Sequence, residues 1–193
     1  LEASLVYESD GNKFEITGYQ NYSPNYHLSS KMGNCNEEII AGISHPCAGA
    51  DFIEWGSGSS GWLYKYEMRE LRSLIQGIES DFILRVNKKI NVYGNYSMVR
   101  GLNLSAGSPL AYMPPDKFLL STEFNFDSFS TSITMKKIFN QNRISEFETK
   151  TDGYLLAGIN TTFNLKSSKL LHKIIIQADN LFDVEYYNHL SRI

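Results

Sequence analysis

The sequence predicts an all-β chain, an antiparallel up-and-down segment of a transmembrane β-barrel with about eight strands. Apolar and polar residues alternate with a period of two along most of the chain, which places apolar side chains on one face of each strand. Short and long connections also alternate, as they do in outer-membrane barrels, where tight turns lie on the periplasmic side and long loops outside. The strands are longer than the ~5–6 residues usual in globular proteins and suit the ~9–11 residues needed to cross a bilayer.

The alternation places each strand in turn. In the third strand, for example, every second position is apolar, at Phe82, Leu84 and Val86. The eight predicted strands are 2–8, 12–23, 62–86, 90–101, 117–126, 128–140, 153–164 and 171–181. The short connections are 10–12, 87–89, 127 and 165–170, and the long ones are 24–61, 102–116 and 141–152. Residues 37–43 alone have a pattern compatible with a turn or two of helix.

Composition excludes several classes of protein. The 193 residues carry 18 Lys+Arg against 21 Asp+Glu, with 13% aromatic residues. A disordered chain would be richer in charge and poorer in aromatics, and a nucleic-acid partner is not expected without a basic block. The sequence lacks G-x-S-x-G, H-E-x-x-H and phosphate-loop motifs. We therefore expect neither an enzyme nor a bound cofactor.

The long connection 24–61 is the best candidate for ligand contact. Its candidate residues, together with one residue of connection 102–116, are His27, His45, Asp51, Glu54, Trp55 and Tyr112. A histidine near two carboxylates could bind a metal ion, but the spacing is not a recognised ligand pattern, and a solvated polar loop explains it as well. The metal, if any, stays open.

Cys35 and Cys47 lie in this same connection without C-x-x-C spacing, which favours a disulfide in an oxidising compartment over two free thiols. A bridge there would reduce the conformational freedom of a long exposed loop. The run 56–61 (GSGSSG) is permissive backbone, whether a natural loop tip or a linker.

Two other architectures fit the alternation. One is a complete eight-stranded membrane barrel with an adhesin or structural role, since eight strands suffice to close a small barrel. The other is a soluble β-sandwich that acts as a binding module, although it explains the loop asymmetry and the long strands poorly.

From residue 75 onward, five motifs in order resemble the C-terminal barrel of TonB-dependent outer-membrane receptors. They are IQGIESDF, NYSMVRGLN, SPLAYMPPDKFLLSTEFNF, QNRISEFETKTDGYLLAGINTTF and IIIQADNLFDVEYYNHLSRI. The residues that carry the resemblance are Gly77, Glu79, Pro114, Pro115, Asn180, Leu181, Phe182, Asp183, Tyr186 and His189. The N-L-F-D segment is the sharpest of these motifs.

The resemblance implies that residues 1–193 form part of one barrel domain of ~22 strands with a plugged lumen. The family's plug, its TonB box, the earlier strands and the closing strand are not among these residues. The expected activity is import of a scarce nutrient, a ferric siderophore or another metal chelate, across the bacterial outer membrane. The expected partners are membrane lipid, that ligand and TonB through the plug. The H-L-S ending is similar to a branch that includes zinc-uptake receptors.

Overall fold

A computed structural model of the chain describes residues 1–33, 38–40, 43–45, 52–54, 62–145, 148–166 and 170–191. These residues form strands and connecting segments. In chain order the strands are β1 (Glu2–Ser9), β2 (Asn12–Lys31), β3 (Glu38–Ile40), β4 (Ile43–His45), β5 (Phe52–Glu54), β6 (Trp62–Tyr64), β7 (Tyr66–Asn87), β8 (Ile90–Asn103), β9 (Ser108–Pro109), β10 (Lys117–Asn125), β11 (Phe129–Ile138), β12 (Tyr154–Lys166) and β13 (Leu171–Ala178). Across those ranges, no helix is long and apolar enough to span a membrane.

Eight long strands form one antiparallel sheet in the order β1-β2-β7-β8-β10-β11-β12-β13, and the short β9 pairs with β8. Neighbours in space are neighbours along the chain once the small hairpins β3-β4 and β5-β6 are set aside. The predicted up-and-down order is therefore confirmed. Within the described ranges, β1 and β13 do not pair with each other, so the sheet is open and lacks the closure that an eight-stranded barrel requires.

The register divides the sheet into an apolar face and a polar face, because directly paired residues point to the same side. Leu5 pairs with Ile16, and Phe14 with Phe82, on one side. The exposed large side chains of this apolar face include Leu5, Phe14, Ile16, Ile78, Leu84, Ile133, Met135, Leu155, Ile174 and Ile176. The polar face carries Glu15, Glu79, Asp81, Asn91, Asn95, Ser121, Glu123, Lys136, Asn160 and Gln177.

The buried core is too small for a water-soluble sandwich. Among the described residues, the buried hydrophobic side chains are Leu110, Ala111, Ile138 and Ala157. The apolar residues that would fill a sandwich core lie at the surface instead; Leu84, for example, is 46% exposed. A sheet that leaves its apolar face uncovered is stable only where something other than water covers that face.

Two glycines allow aromatic rings to lie flat on the sheet. An added Cβ at Gly94 would lie 2.0 Å from Cε1 of Phe82, its cross-strand partner on the apolar face. An added Cβ at Gly77 would lie 2.5 Å from the Tyr19 ring on the polar face and 2.5 Å from the Met98 carbonyl oxygen. Each ring thus covers the backbone of a glycine, which has no side chain of its own to cover it.

The sequence prediction was wrong about where the second strand ends. β2 continues to Lys31 and pairs with β7 as far as Tyr66, so residues 24–31 form strand rather than loop. The register shifts between Ser23 and Tyr26, which is where Pro24 lies. A bulge tolerates a proline because the missing N–H is not needed by the ladder there.

The compatibility of residues 37–43 with helix was also misleading. Glu38–Ile40 forms β3, which pairs with β4 in a small hairpin.

Candidate functional site

All the long connections lie at one end of the sheet, and we call this end the rim. The rim connections are 104–116 between β8 and β10, 139–153 between β11 and β12, of which 139–145 and 148–153 are described, and 179–191 after β13. The opposite end carries tight turns, such as Asp10–Gly11, where both residues have positive φ. The predicted asymmetry of loop length is confirmed.

Glu148 joins two of the rim connections. Its Oε1 accepts a hydrogen bond from the backbone N–H of Tyr112 at 2.6 Å, and its Oε2 accepts one from the N–H of Ser145 at 2.9 Å. Tyr112 has a φ of 60°, an uncommon conformation for a residue with a side chain. The carboxylate therefore holds the 104–116 connection at a residue with positive φ.

His189 adds the third connection. Its Nε2 lies 3.5 Å from Glu148 Oε1, and its Nδ1 lies 3.2 Å from Thr151 Oγ1. The two side chains are nearly inaccessible, at 3% exposed for His189 and 8% for Glu148. Among the described residues, Nε2 of His189 is buried without a hydrogen-bond partner, so Glu148 is its nearest electrostatic neighbour.

Gln141 reinforces the link between connections 104–116 and 139–153. Its side chain is buried, and Nε2 donates to the Met113 carbonyl at 2.8 Å, while Oε1 accepts from the N–H of Arg143. Its backbone exchanges two hydrogen bonds with Thr151. We call Tyr112, Gln141, Glu148, Thr151 and His189 the rim cluster.

Residues 108–115 (SPLAYMPP), which we call the proline segment, pack onto the polar face just below the rim cluster. The N–H of Leu110 donates to the Gly101 carbonyl at 3.1 Å, and Leu110 is fully buried. An added Cβ at Gly101 would meet Met113 Sδ at 2.6 Å, so this glycine is what allows the segment to approach the sheet. Pro115 is buried in the same segment.

A cavity of about 940 Å³ opens beside the rim cluster. Tyr154 and Tyr186 stack in its wall with ring centroids 4.2 Å apart. Its lining also includes Tyr112, Glu148, Lys150, Asp152, Glu185 and His189. Tyr154 pairs with Ile138, and Ile138 with Lys117, so Tyr154 belongs to the polar face.

The N-L-F-D motif is a closed turn at the rim end of β13. The Asn180 side chain accepts from the N–H of Val184 and donates to its carbonyl, at 3.0 and 3.1 Å. Asn180 and Asp183 both adopt positive φ, which asparagine and aspartate tolerate better than most residues. The Leu181 N–H donates to the Ala157 carbonyl and ties the turn to β12.

Two polar networks lie on the polar face, farther from the rim. Glu123 accepts hydrogen bonds from Asn91 Nδ2 and Tyr93 Oη, at 3.2 and 3.1 Å. Asn95 donates to Asp81 at 2.8 Å. These networks join β7, β8 and β10 side by side.

The structure brings some of the predicted residues together and separates others. Tyr112, Tyr186 and His189 meet at the cavity. His27 is exposed on β2 and pairs in register with Glu70, so it does not belong to a loop. Backbone alone is described for His45 in β4 and Glu54 in β5. Cys35, Cys47, Asp51 and Trp55 lie outside the described residues, so the predicted disulfide and metal contacts stay predictions.

The family-motif residues fall in three places. Gly77 and Glu79 lie on the polar face of β7, Pro114 and Pro115 lie in the proline segment, and the last six surround the rim end of β13. Within the part of the chain that the structure describes, no three His, Cys, Asp or Glu side chains are grouped as metal ligands would be. Sequence pattern predicts no site role for Glu148, which is typical of a surface carboxylate, or for Gln141, because Tyr112 and Met113 lie 36 and 28 residues away from them.

An open antiparallel sheet with one apolar face, one polar face and long connections at one end has the architecture of a wall segment of a β-barrel. The sequence matches no family model, and no curated protein matches it. The fold is similar to that of the copper transporter OprC, with a TM-score of 0.76 and 18% identity over 98% of this chain and 26% of that one.

It is also similar to two structures of the ferric enterobactin receptor PfeA from Pseudomonas aeruginosa, the G324V and R480A_Q482A mutants. For each, the TM-score is 0.61 at 19% identity, over 95% of this chain and 25% of that one. The chain thus spans about a quarter of the length of the structures it matches. Its fold is that of part of a TonB-dependent receptor barrel, as the motifs predict, and the relatives in structure are a transporter and a receptor rather than enzymes.

Proposed function

We propose that this chain forms part of the barrel wall of an outer-membrane receptor that binds a metal chelate, a ferric siderophore in the first instance, and imports it with energy from TonB. The observation that carries the proposal is the fold, which follows a transporter barrel over 98% of the chain. The apolar face would contact lipid, and the polar face would line the lumen around a plug.

The rim is the proposed site of first contact with the ligand. It combines a cavity, stacked tyrosines and a cluster of polar groups held in place by hydrogen bonds between the connections. Preorganised rims bind with less loss of conformational freedom than mobile loops do. The connection between β2 and β7, with His45, Asp51, Glu54 and Trp55, remains a proposed second contact, and a Cys35–Cys47 bridge would restrain it.

A second candidate cargo is a copper or zinc ion without a siderophore. The similarity in fold to OprC, a copper transporter, with a higher TM-score than the similarity to PfeA, favours this candidate. The H-L-S ending at His189, Leu190 and Ser191 is the feature that resembles zinc-uptake receptors.

Uptake by cells that carry the full-length receptor would test the proposal. We expect accumulation of radioactive iron supplied as a siderophore complex, and loss of that accumulation in a matched strain without TonB. Accumulation of copper or zinc alone would select the second candidate. Equal accumulation of every metal in cells with and without the receptor would refute both.

A further inference from the structure

We infer that Glu148 and His189 are positioning residues that fix the shape of the rim cavity, and this inference rests on the proposed function of the rim. No single connection could build the cavity, because its wall takes Tyr112 from 104–116, Tyr154 from β12 and Tyr186 from 179–191. The Glu148 carboxylate contacts both the 104–116 connection and the 179–191 connection.

Both oxygens of the Glu148 carboxylate make contacts. Oε1 accepts a hydrogen bond from the Tyr112 N–H and lies near His189 Nε2, and Oε2 accepts a hydrogen bond from the Ser145 N–H. Hydrogen bonds to an ionised carboxylate are stronger than those between neutral groups. Loss of the carboxylate would leave the backbone N–H groups of Tyr112 and Ser145 without their acceptor, and would remove the group that lies 3.5 Å from His189 Nε2.

His189 connects Glu148 to the rest of the cavity wall. Its Nδ1 meets Thr151, which is itself paired to Gln141 through the backbone, and the adjacent residues 185–188 line the cavity. The 3.5 Å between His189 Nε2 and Glu148 Oε1 is an electrostatic contact and not a hydrogen bond. The pair therefore sets how near 179–191 lies to the other two connections.

Glu185 provides a matched control. It is a carboxylate in the lining of the same cavity, but it is exposed and lies on the 179–191 connection. Glu185→Gln removes a negative charge from the cavity without removing a bond between connections. If Glu185→Gln had the same effect as a substitution of Glu148, the effect would come from the lost charge and not from the lost contacts between connections.

The first measurement is hydrogen exchange on the full-length receptor, which needs no ligand. We expect Glu148→Ala to speed exchange at the Tyr112 and Ser145 amides at least tenfold, with no change in β7 and β8. Glu148→Gln should release one of the two amides, because its amide group keeps a single acceptor oxygen, and it serves also if Glu148→Ala fails to fold. Unchanged exchange at both amides in the glutamine variant, or faster exchange in Glu185→Gln, would overturn the inference.

The second measurement is the concentration dependence of ferric-siderophore uptake. A positioning role predicts that Glu148→Gln and His189→Ala each raise the apparent KM about tenfold at unchanged maximal rate and surface level. The double variant should be no worse than either single one, because both break the same link. Additive effects, or a fall in maximal rate alone, would overturn the positioning role. Absence of uptake by the wild-type receptor would refute the proposed function and leave the exchange result standing.

Discussion

Replacement of Gly77 by alanine tests whether close packing within the sheet is what requires a glycine at this position. The added Cβ would stand 2.5 Å from the Met98 carbonyl oxygen and 2.5 Å from the Tyr19 ring, whereas ordinary contact begins at 3.4 Å. About 1 Å of movement is required. The Tyr19 ring can swing aside, but the Met98 oxygen belongs to the neighbouring strand and cannot move without disturbing the ladder.

We expect Gly77→Ala to lower the free energy of unfolding by about 2 kcal/mol, within the range of ~1–3 kcal/mol typical of overpacked sites. Loss of the Tyr19 contact with the strand adds a few tenths, as cross-strand pairs do. The assay is urea unfolding of the full-length receptor in lipid vesicles, followed by tryptophan fluorescence.

Gly18 is the matched control, because it is also a strand glycine but has nothing within 4 Å of an added Cβ. Gly18→Ala should be neutral or stabilising by about 0.5 kcal/mol, because alanine restricts the unfolded chain. Equal midpoints for Gly77→Ala and wild type, or greater damage from Gly18→Ala, would refute the reasoning.

Three further predictions concern the faces, the motif turn and the rim. Leu120→Arg on the apolar face should lower stability in vesicles by roughly 2–4 kcal/mol, whereas Ser121→Arg on the polar face should change it by less than about 1 kcal/mol; equal losses would contradict the assignment of faces. Asn180→Ala should lower the thermal midpoint of the receptor more than Asn180→Gly, because alanine tolerates positive φ less well by about 1 kcal/mol; the reverse order would show that strain is not involved. Arg100→Ala should cost about 2 kcal/mol in the same urea assay, because it leaves the Asp116 carboxylate without its bidentate partner; an unchanged midpoint would mean that the pair contributes nothing.

The sequence was enough to predict the sheet, because its physical origin is local. Tight turns bring consecutive strands together, and the period-two pattern then fixes which residues share a face. Leu120 therefore pairs with Gly94 and Met135, all on the apolar side, as the alternation predicts. The continuation of β2 to Lys31 is harder to predict, because a strand tolerates a proline such as Pro24 only where a bulge accommodates it.

The rim cluster could not be predicted in the same way. Glu148 binds Tyr112, 36 residues earlier, and Thr151 meets His189, 38 residues later. No periodic pattern links such positions, and a glutamate in a polar stretch reads as a solvated surface residue. Tyr112 and His189 were each singled out for other reasons, and only the packing of the connections showed that Glu148 lies near both.

The most direct test of the central claim is the accessibility of spin labels placed one at a time from Phe118 to Phe124 along β10 of the full-length receptor in vesicles. The account predicts a period of two, with Phe118, Leu120 and Phe124 more accessible to oxygen dissolved in the bilayer. Leu119, Ser121 and Glu123 should be more accessible to a water-soluble nickel complex. Accessibility without alternation, or with the two sets exchanged, would contradict the claim that this sheet separates lipid from a wet lumen.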